Sequence, residues 1–297
     1  MALGGLVGML DVLFLLIFWT WVVTGALFLR NTFLPRMPIQ MTPDAVGLSY
    51  EPVRFRSTDG LWLSGWKLTA DLQAPWIIIC HGLGTNRADL LDVAAALVQA
   101  GYNVLTFDFR AHAESQGKVT SFGWREQRDL EGALAFLGSL PDMPERPYGV
   151  YGVSMGGAVA IMVAARDERL AAVAVDSIYS DLEESIAHHL KLLYRLPRVP
   201  FSLFAGSAYR LRFGVWPRRM SPVSVIGQIS PRAVLVVQGD GDPRVPLAQG
   251  QALFQAAGEP KDLWVIQGTE HLASLRTDPA AYMRRLVAFF DSFLKHA

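Results

Sequence analysis

Three polar residues that lie far apart in the sequence have the types and the order needed for nucleophilic catalysis. Ser154 lies in the segment Gly152–Gly156 (GVSMG), which fits the pattern G-x-S-x-G. A serine hydroxyl becomes nucleophilic at neutral pH when a base removes its proton and a carboxylate orients that base. Asp242 and His271 follow Ser154 in the order Ser, Asp, His. We therefore take Ser154 as candidate nucleophile, Asp242 as candidate acid and His271 as candidate base.

Each of these residues lies at the end of, or two or three residues after, an apolar run that is typical of a buried strand. The runs cover 148–154, 233–240 and 262–268. Ser154 also falls where a strand changes to a helical pattern over 155–166, and a sharp strand-to-helix turn there exposes a serine above a sheet. The alternative is a serine that only caps a helix.

Two other carboxylates compete with Asp242 for the role of the acid. Asp176 ends the apolar run 170–176, and Asp240 lies two residues before Asp242. We expect Asp240 to cap its loop and Asp176 to order the base of the insertion that follows it. Asp242 is preferred because it follows the strand that comes before the strand carrying the histidine.

An acyl-transfer serine also needs backbone N–H groups that stabilise the oxyanion of the intermediate. Met155, next to the nucleophile, supplies one candidate donor. Leu83, in the segment HGLG (81–84) after the apolar run 75–80, supplies the other. We expect His81 to hold this loop. A dinucleotide-binding loop is excluded because its third glycine is missing, and the sequence has no phosphate-loop motif GK[ST].

Apolar runs and helical patterns alternate from residue 75 to the end of the chain, which predicts a mostly parallel sheet with helices on both faces. A hairpin around Thr58-Asp59-Gly60 adds antiparallel strands at one edge. The stretch between the strands at 170–176 and 233–240 is too long for a simple crossover, so 177–232 is predicted to be a cap insertion.

Five ordered motifs give this chain a resemblance to the α/β-hydrolase superfamily, in particular to its monoacylglycerol lipase and serine-aminopeptidase-like branch. They are HGLG (81–84), DFRAHAES (108–115), GVSMGG (152–157), GDGDPRVP (239–246) and Glu270-His271. The resemblance implies an α/β-hydrolase fold and a serine hydrolase acting on esters, thioesters or amides. The chain departs from the family pattern R-G-H-G-x-S, where Ala111 and Ala113 replace the two glycines.

The N-terminal segment is apolar enough to cross a membrane. Val12–Leu29 contains no charged residue and would span roughly 27 Å as a helix, against about 30 Å for a hydrocarbon core. We predict a transmembrane anchor over 1–30, with lipid contacts from 2–29. A signal peptide or a buried helix is the alternative, but there is no basic n-region and no A-x-A site. Arg30 and Arg36 favour a cytoplasmic catalytic domain.

We expect residues 31–49 to be a linker and 50–297 to be the hydrolase domain. The cap carries eight basic residues and no acidic residue between 185 and 239, interleaved with five aromatic side chains. Those aromatic side chains either meet an anionic membrane surface or pack onto the sheet. The aromatic positions are Phe201, Phe204, Tyr209, Phe213 and Trp216.

Composition narrows the function further. The chain has 27 basic and 27 acidic side chains, and this balance argues against broad nucleic-acid binding. The single cysteine excludes a multi-cysteine metal site, and neither a cofactor nor a metal is predicted. The sequence therefore predicts a membrane-anchored serine hydrolase that cleaves carboxylic esters or other acyl bonds of small-molecule substrates, including lipid-like ones. An aminopeptidase-like amidase and a tethered binding module with a relict site remain alternatives.

Overall fold

The computed structural model describes residues 2–141 and 147–295, with side chains from Met9 onward. Its centre is an eight-stranded sheet in the order β1-β2-β4-β3-β5-β6-β7-β8. The strands are β1 Glu51–Arg56, β2 Trp62–Leu68, β3 Trp76–Cys80, β4 Asn103–Phe107, β5 Tyr148–Val153, β6 Leu170–Asp176, β7 Ala233–Gly239 and β8 Lys261–Ile266. Strands β3 to β8 pair in parallel, whereas β1 and β2 are antiparallel. The predicted fold class is confirmed.

Helices cover both faces of this sheet. Strands β3 to β6 are apolar on both sides because α3, α4 and α8 cover one face while α2 and α10 cover the other. The helices are α1 Ala2–Arg30, α2 Leu91–Gln99, α3 Gln127–Gly138, α4 Met155–Ala164, α5 Leu182–Tyr194, α6 Arg198–Phe213, α7 Pro222–Val225, α8 Leu247–Ala256, α9 Ser274–Thr277 and α10 Pro279–Leu294. Met1 of the predicted anchor (1–30) lies outside the described residues. So do residues 142–146 and 296–297 of the predicted hydrolase domain (50–297).

The predicted cap insertion lies between β6 and β7 and contains α5, α6 and α7. Its aromatic side chains point into the protein. Tyr209 and Phe213 are buried, and Phe201, Phe204 and Trp216 are half-buried. Tyr209, Phe213 and Phe201 join an apolar cluster that includes Phe28 of α1 and Phe122. Of the two possibilities for the cap aromatics, the inward-packing one is therefore correct.

Helix α1 consists of a bare part and a packed part. Every side chain from Met9 to Trp19 is exposed, although most are large and apolar. Beyond Trp19 the helix packs against α6 of the cap: the Trp21 indole N–H donates to Ser207 Oγ at 2.7 Å, and Phe28 is only 8% exposed. The final turns of α1 therefore belong to the folded body of the protein.

The segment 31–49, which we expected to be a linker, also lies against the body. Thr32 is fully buried, and its carbonyl accepts a hydrogen bond from the Thr120 N–H at 2.9 Å. The Arg36 guanidinium donates to four backbone carbonyls of the 112–117 loop. Prolines and the lack of periodicity made this stretch resemble a linker, because its contacts are with residues distant in the sequence.

Candidate active site

The sharp turn between β5 and α4 presents Ser154 at the carboxyl edge of the sheet. Ser154 has a backbone φ of 49° and ψ of −121°, a strained conformation for a residue with a side chain. A Cβ atom on Gly156 would lie 2.3 Å from the Cys80 carbonyl oxygen, and one on Gly152 would lie 2.6 Å from the Cα atom of Gly157. The two glycines of G-x-S-x-G are therefore required by close backbone contacts on both sides of the turn.

The structure brings the three predicted triad residues into one hydrogen-bonded row. His271 Nε2 lies 3.2 Å from Ser154 Oγ, and His271 Nδ1 lies 2.6 Å from Asp242 Oδ2. The other carboxylate oxygen of Asp242 accepts the N–H groups of Arg244 and Val245 at 2.8 and 2.9 Å. These bonds fix the buried carboxylate, so that it holds the imidazole with a ring nitrogen facing the serine.

The two competing carboxylates have other partners. Asp240 accepts a hydrogen bond from the Gly268 N–H, as expected of a loop cap. The Asp176 carboxylate accepts a hydrogen bond from Ser177 Oγ at 2.8 Å, at the base of the insertion as expected, and also bonds from Tyr282 Oη at 2.8 Å and Ser274 Oγ at 3.4 Å. Burial raises the pKa of the Asp176 carboxyl to about 6. The Asp176 backbone carbonyl also accepts the Ser154 N–H at 2.9 Å, and this bond helps to fix the backbone of the turn that carries Ser154.

The two predicted oxyanion donors flank Ser154. Within the described residues, neither the Leu83 N–H nor the Met155 N–H has a hydrogen-bond acceptor. A Cβ atom on Gly82 would lie 3.6 Å from the Ser154 Cβ atom, so the Gly82-Leu83 peptide lies beside the nucleophile. The Gly82 carbonyl is held by His81 Nδ1 at 2.7 Å. In a trans peptide the following N–H points the opposite way, away from His81.

Two buried histidines hold the 81–84 loop in place. His81 Nε2 accepts the Phe109 N–H at 3.0 Å. Nδ1 therefore carries the ring proton and donates a hydrogen bond to the Gly82 carbonyl. Burial and the neighbouring His112 lower the pKa of His81, which keeps this ring neutral. His112 Nε2 accepts the Gly84 N–H at 3.1 Å. The predicted structural role of His81 agrees with these contacts.

Sequence reasoning missed the residues that stabilise the 110–117 loop. Ala111 and Ala113, which stand where the resembling family has glycines, adopt φ angles of 63° and 32°. This region favours glycine, so the alanines are held there by surrounding contacts. Arg36 supplies several of these contacts through its bonds to the loop carbonyls. The family glycines at positions 111 and 113 indicated an unusual backbone in this loop, but no local sequence pattern pointed to Arg36.

Comparison with known proteins agrees with this geometry. Residues 77–285 match the model of the alpha/beta hydrolase family. The chain is 30% identical over 238 residues to the protein YqkD of Bacillus subtilis, covering 80% of this chain and 77% of that one. It is 32% identical over 133 residues to the thiohydrolase aneE of Aspergillus aculeatus, covering 44% of this chain and 42% of that one.

A solved structure extends the similarity to most of the fold. The esterase Pf2001 of Pyrococcus furiosus superimposes with a TM-score of 0.75 at 25% identity, covering 89% of this chain and 98% of the esterase. The family match spans more than half of the sequence and includes the strand–turn–helix unit that carries Ser154. On these grounds the chain belongs to the alpha/beta hydrolase family.

Proposed function

We propose that this hydrolase is a membrane-anchored serine hydrolase that cleaves carboxylic esters, and other acyl bonds, through an acyl-enzyme intermediate. The observation that carries the proposal is the hydrogen-bonded row from Ser154 through His271 to Asp242. A serine, a base and an orienting carboxylate in this geometry constitute the machinery of acyl transfer. Acyl-transfer enzymes of this kind need no cofactor.

In the first half of the reaction, Ser154 Oγ bonds to the substrate carbonyl carbon while its proton passes to His271 Nε2. The carbonyl electron pair moves to the oxygen, and the Leu83 and Met155 N–H groups stabilise the negative charge. Asp242 stabilises the imidazolium that forms. The carbonyl then re-forms, the bond to the leaving group breaks, and His271 returns the proton to the departing alkoxide.

In the second half, water replaces the leaving group. His271 takes a proton from the water as its oxygen bonds to the acyl carbon, and the same two N–H groups stabilise the second oxyanion. The bond to Ser154 Oγ then breaks, and the serine recovers its proton from His271. The products are the carboxylic acid and the free enzyme.

Burst kinetics test this proposal. With a p-nitrophenyl ester, an acyl-enzyme that hydrolyses slowly gives a burst of p-nitrophenol proportional to the active enzyme, followed by a slower steady rate. We expect Ser154→Ala to abolish both phases and Ser139→Ala, at the exposed end of α3, to leave both unchanged. Steady hydrolysis that persists in Ser154→Ala would overturn the proposed nucleophile.

The anchoring part of the proposal is supported by the way α1 is divided. Met9–Arg30 is long and apolar enough to cross a membrane. A cleaved signal peptide is not expected to contribute a buried core residue, whereas Phe28 contacts Phe122 and Tyr209 inside the body. We therefore propose that α1 is retained as an anchor. Its lipid contacts come from the exposed stretch Met9–Trp19 and not from the whole predicted range 2–29, because Thr24 and Phe28 are buried in the protein.

We further propose that the catalytic domain lies on the cytoplasmic side, because Arg30 is exposed at the C-terminal end of α1. A C-terminal fusion to alkaline phosphatase, which is active only outside the cytoplasm, tests this. We expect an inactive phosphatase, and a matching fusion to green fluorescent protein should fluoresce. An active phosphatase fusion would reverse the assigned orientation.

A further inference from the structure

Cap helix α6 crosses α1 and leaves apolar side chains bare on both sides of the crossing. Ser207 and Ala208 contact α1: Ser207 accepts the Trp21 indole N–H, and a Cβ atom on Gly25 would lie 3.4 Å from the Ala208 Cβ atom. Leu203 and Leu211, one turn before and one turn after Ser207, are 57% and 75% exposed. Residues four apart share a helix face, so α1 covers only the middle of this face.

The division of α1 sets the level at which this crossing lies. The stretch from Ala2 to Trp19 is about 27 Å long as a helix, close to the thickness of about 30 Å of a hydrocarbon core. Thr24 and Phe28 are packed against protein. If the exposed part of α1 lies in a bilayer, the membrane interface must therefore lie near Trp21, at the level where α6 crosses α1.

The charges on and after α6 are uniformly positive. Arg210 and Arg212 are exposed on the helix, and Arg218 and Arg219 are exposed in the turn that follows it. None of these four forms an ion pair with any part of the chain that the structure describes. Basic side chains near an anionic bilayer surface are attracted to it. The guanidinium groups of Arg210 and Arg212 lie over the rings of Trp216 and Phe33, 5.1 and 5.5 Å from the ring centroids, and remain exposed. Exposed leucines beside arginines without a carboxylate partner are typical of a helix that lies in a membrane interface.

We propose that α6 is a second membrane contact. Leu203 and Leu211 enter the interface of the leaflet from which α1 emerges, and Arg210 and Arg212 meet the headgroups of anionic phospholipids there. This inference depends on the proposed anchoring by α1. Its consequence is that the cap rests on the lipid surface, where amphiphilic acyl substrates are concentrated.

Depth-dependent fluorescence quenching in vesicles of neutral and anionic phospholipids tests this in the full chain. Cys80 is fully buried, so cysteines introduced by Leu203→Cys or Leu211→Cys can carry an environment-sensitive fluorophore. Phe14→Cys reports on the bare part of α1. Leu72 lies in the β2–β3 loop, at the amino end of β3 and opposite the carboxyl edge that carries Ser154. It is 72% exposed, so Leu72→Cys is the matched control.

We expect labels at 203 and 211 to be quenched by lipids spin-labelled near the headgroup, and the label at 14 by lipids labelled deep in the acyl chain. The label at 72 should respond to neither. Quenching at 14 alone would overturn the α6 contact and leave the anchor intact. No quenching at 14 would overturn the anchor and, with it, this inference.

The role of charge is tested by combining Arg210→Gln and Arg212→Gln with each cap label. We expect weaker headgroup quenching in anionic vesicles than the same label shows with both arginines present, and raised salt should reduce the difference. Equal quenching with and without the two arginines would overturn the recognition of anionic lipid.

Discussion

Asp242 is the carboxylate that contacts His271, whereas the Asp176 carboxylate accepts hydrogen bonds from the hydroxyl groups of Tyr282, Ser177 and Ser274. We therefore expect Asp242→Asn to lower kcat by about 10⁴-fold, because the amide no longer holds the imidazole in its productive form. Asp176→Asn should cause a far smaller loss. Steady-state kinetics on both variants measure the difference. If Asp176→Asn is the more damaging change, the acid has been assigned to the wrong strand.

Asp176 should instead affect the pH dependence of stability. Burial raises its pKa from 3.8 to about 6, so the folded protein binds more protons here than the unfolded chain between these pH values. The stability contribution of this group is therefore complete below pH 4 and is lost as the pH rises through 6.

The wild type should therefore lose stability relative to Asp176→Asn as the pH rises. We expect the free energy of unfolding of Asp176→Asn minus that of the wild type to increase from pH 4 to pH 7, by up to about 3 kcal/mol. Denaturant unfolding in detergent, followed at several pH values, measures this change. A difference that stays constant with pH would show that the buried carboxyl does not titrate in this range.

At the level of elements, strands β3 to β7 were predictable because each is a short, largely apolar run with clear ends. The range 170–176 matches β6 exactly, since Arg169 precedes the run and Ser177 follows it. A helical pattern begins in the sequence at Trp124, but helix α3 begins only at Gln127. The reason is that the Glu126 carboxylate accepts the N–H groups of Ser121 and Gly123 and holds the preceding residues in a turn.

The same reasoning was less successful where partners are distant in the sequence. Ser154, Asp242 and His271 are an exception, because their order in the sequence was enough to predict that the fold brings them together. The environment of Asp176 depends on Tyr282, 106 residues away, and the conformation of the 110–117 loop depends on Arg36. No local pattern carries information on such contacts.

Two truncations distinguish a simple tether from an anchor that is built into the fold. A chain starting at Thr20 loses only the bare part of α1, so we expect it to leave the carbonate-resistant membrane pellet and to keep its thermal stability. A chain starting at Thr42 also loses buried Phe28 and Thr32 and the bonds of Arg36. Loss of one buried phenylalanine costs about 3–5 kcal/mol, so this chain should melt at a clearly lower temperature.

Equal melting temperatures for the two truncated chains would show that residues 20–41 are dispensable for folding. Thr120 makes the loss of these residues relevant to the active site, because it pairs with Thr32 and its hydroxyl lies 3.7 Å from the Met155 sulfur. We therefore expect the chain starting at Thr42 to lose ester hydrolysis as well as stability.

In the whole molecule, helix α1, the cap and the turn that carries Ser154 form one continuous structure. Phe28 of α1 packs on Tyr209 of the cap and on Phe122, and the Tyr209 hydroxyl donates to the Ser121 carbonyl at 3.0 Å. The packed end of α1 fixes the orientation of the hydrolase domain relative to this helix and therefore to the proposed anchor. We expect the full-length protein to stay in the membrane pellet after carbonate washing, and its recovery in the soluble fraction would contradict the anchor.

The central claim is that Ser154 is an activated nucleophile, and covalent labelling of the full-length protein by a fluorophosphonate tests it most directly. Such a probe reacts with an activated serine hydroxyl rather than with ordinary surface serines. Peptide mass analysis should locate one phosphonyl adduct on Ser154, and both Ser154→Ala and His271→Ala should prevent labelling. An adduct on another serine, or labelling that survives Ser154→Ala, would contradict the account.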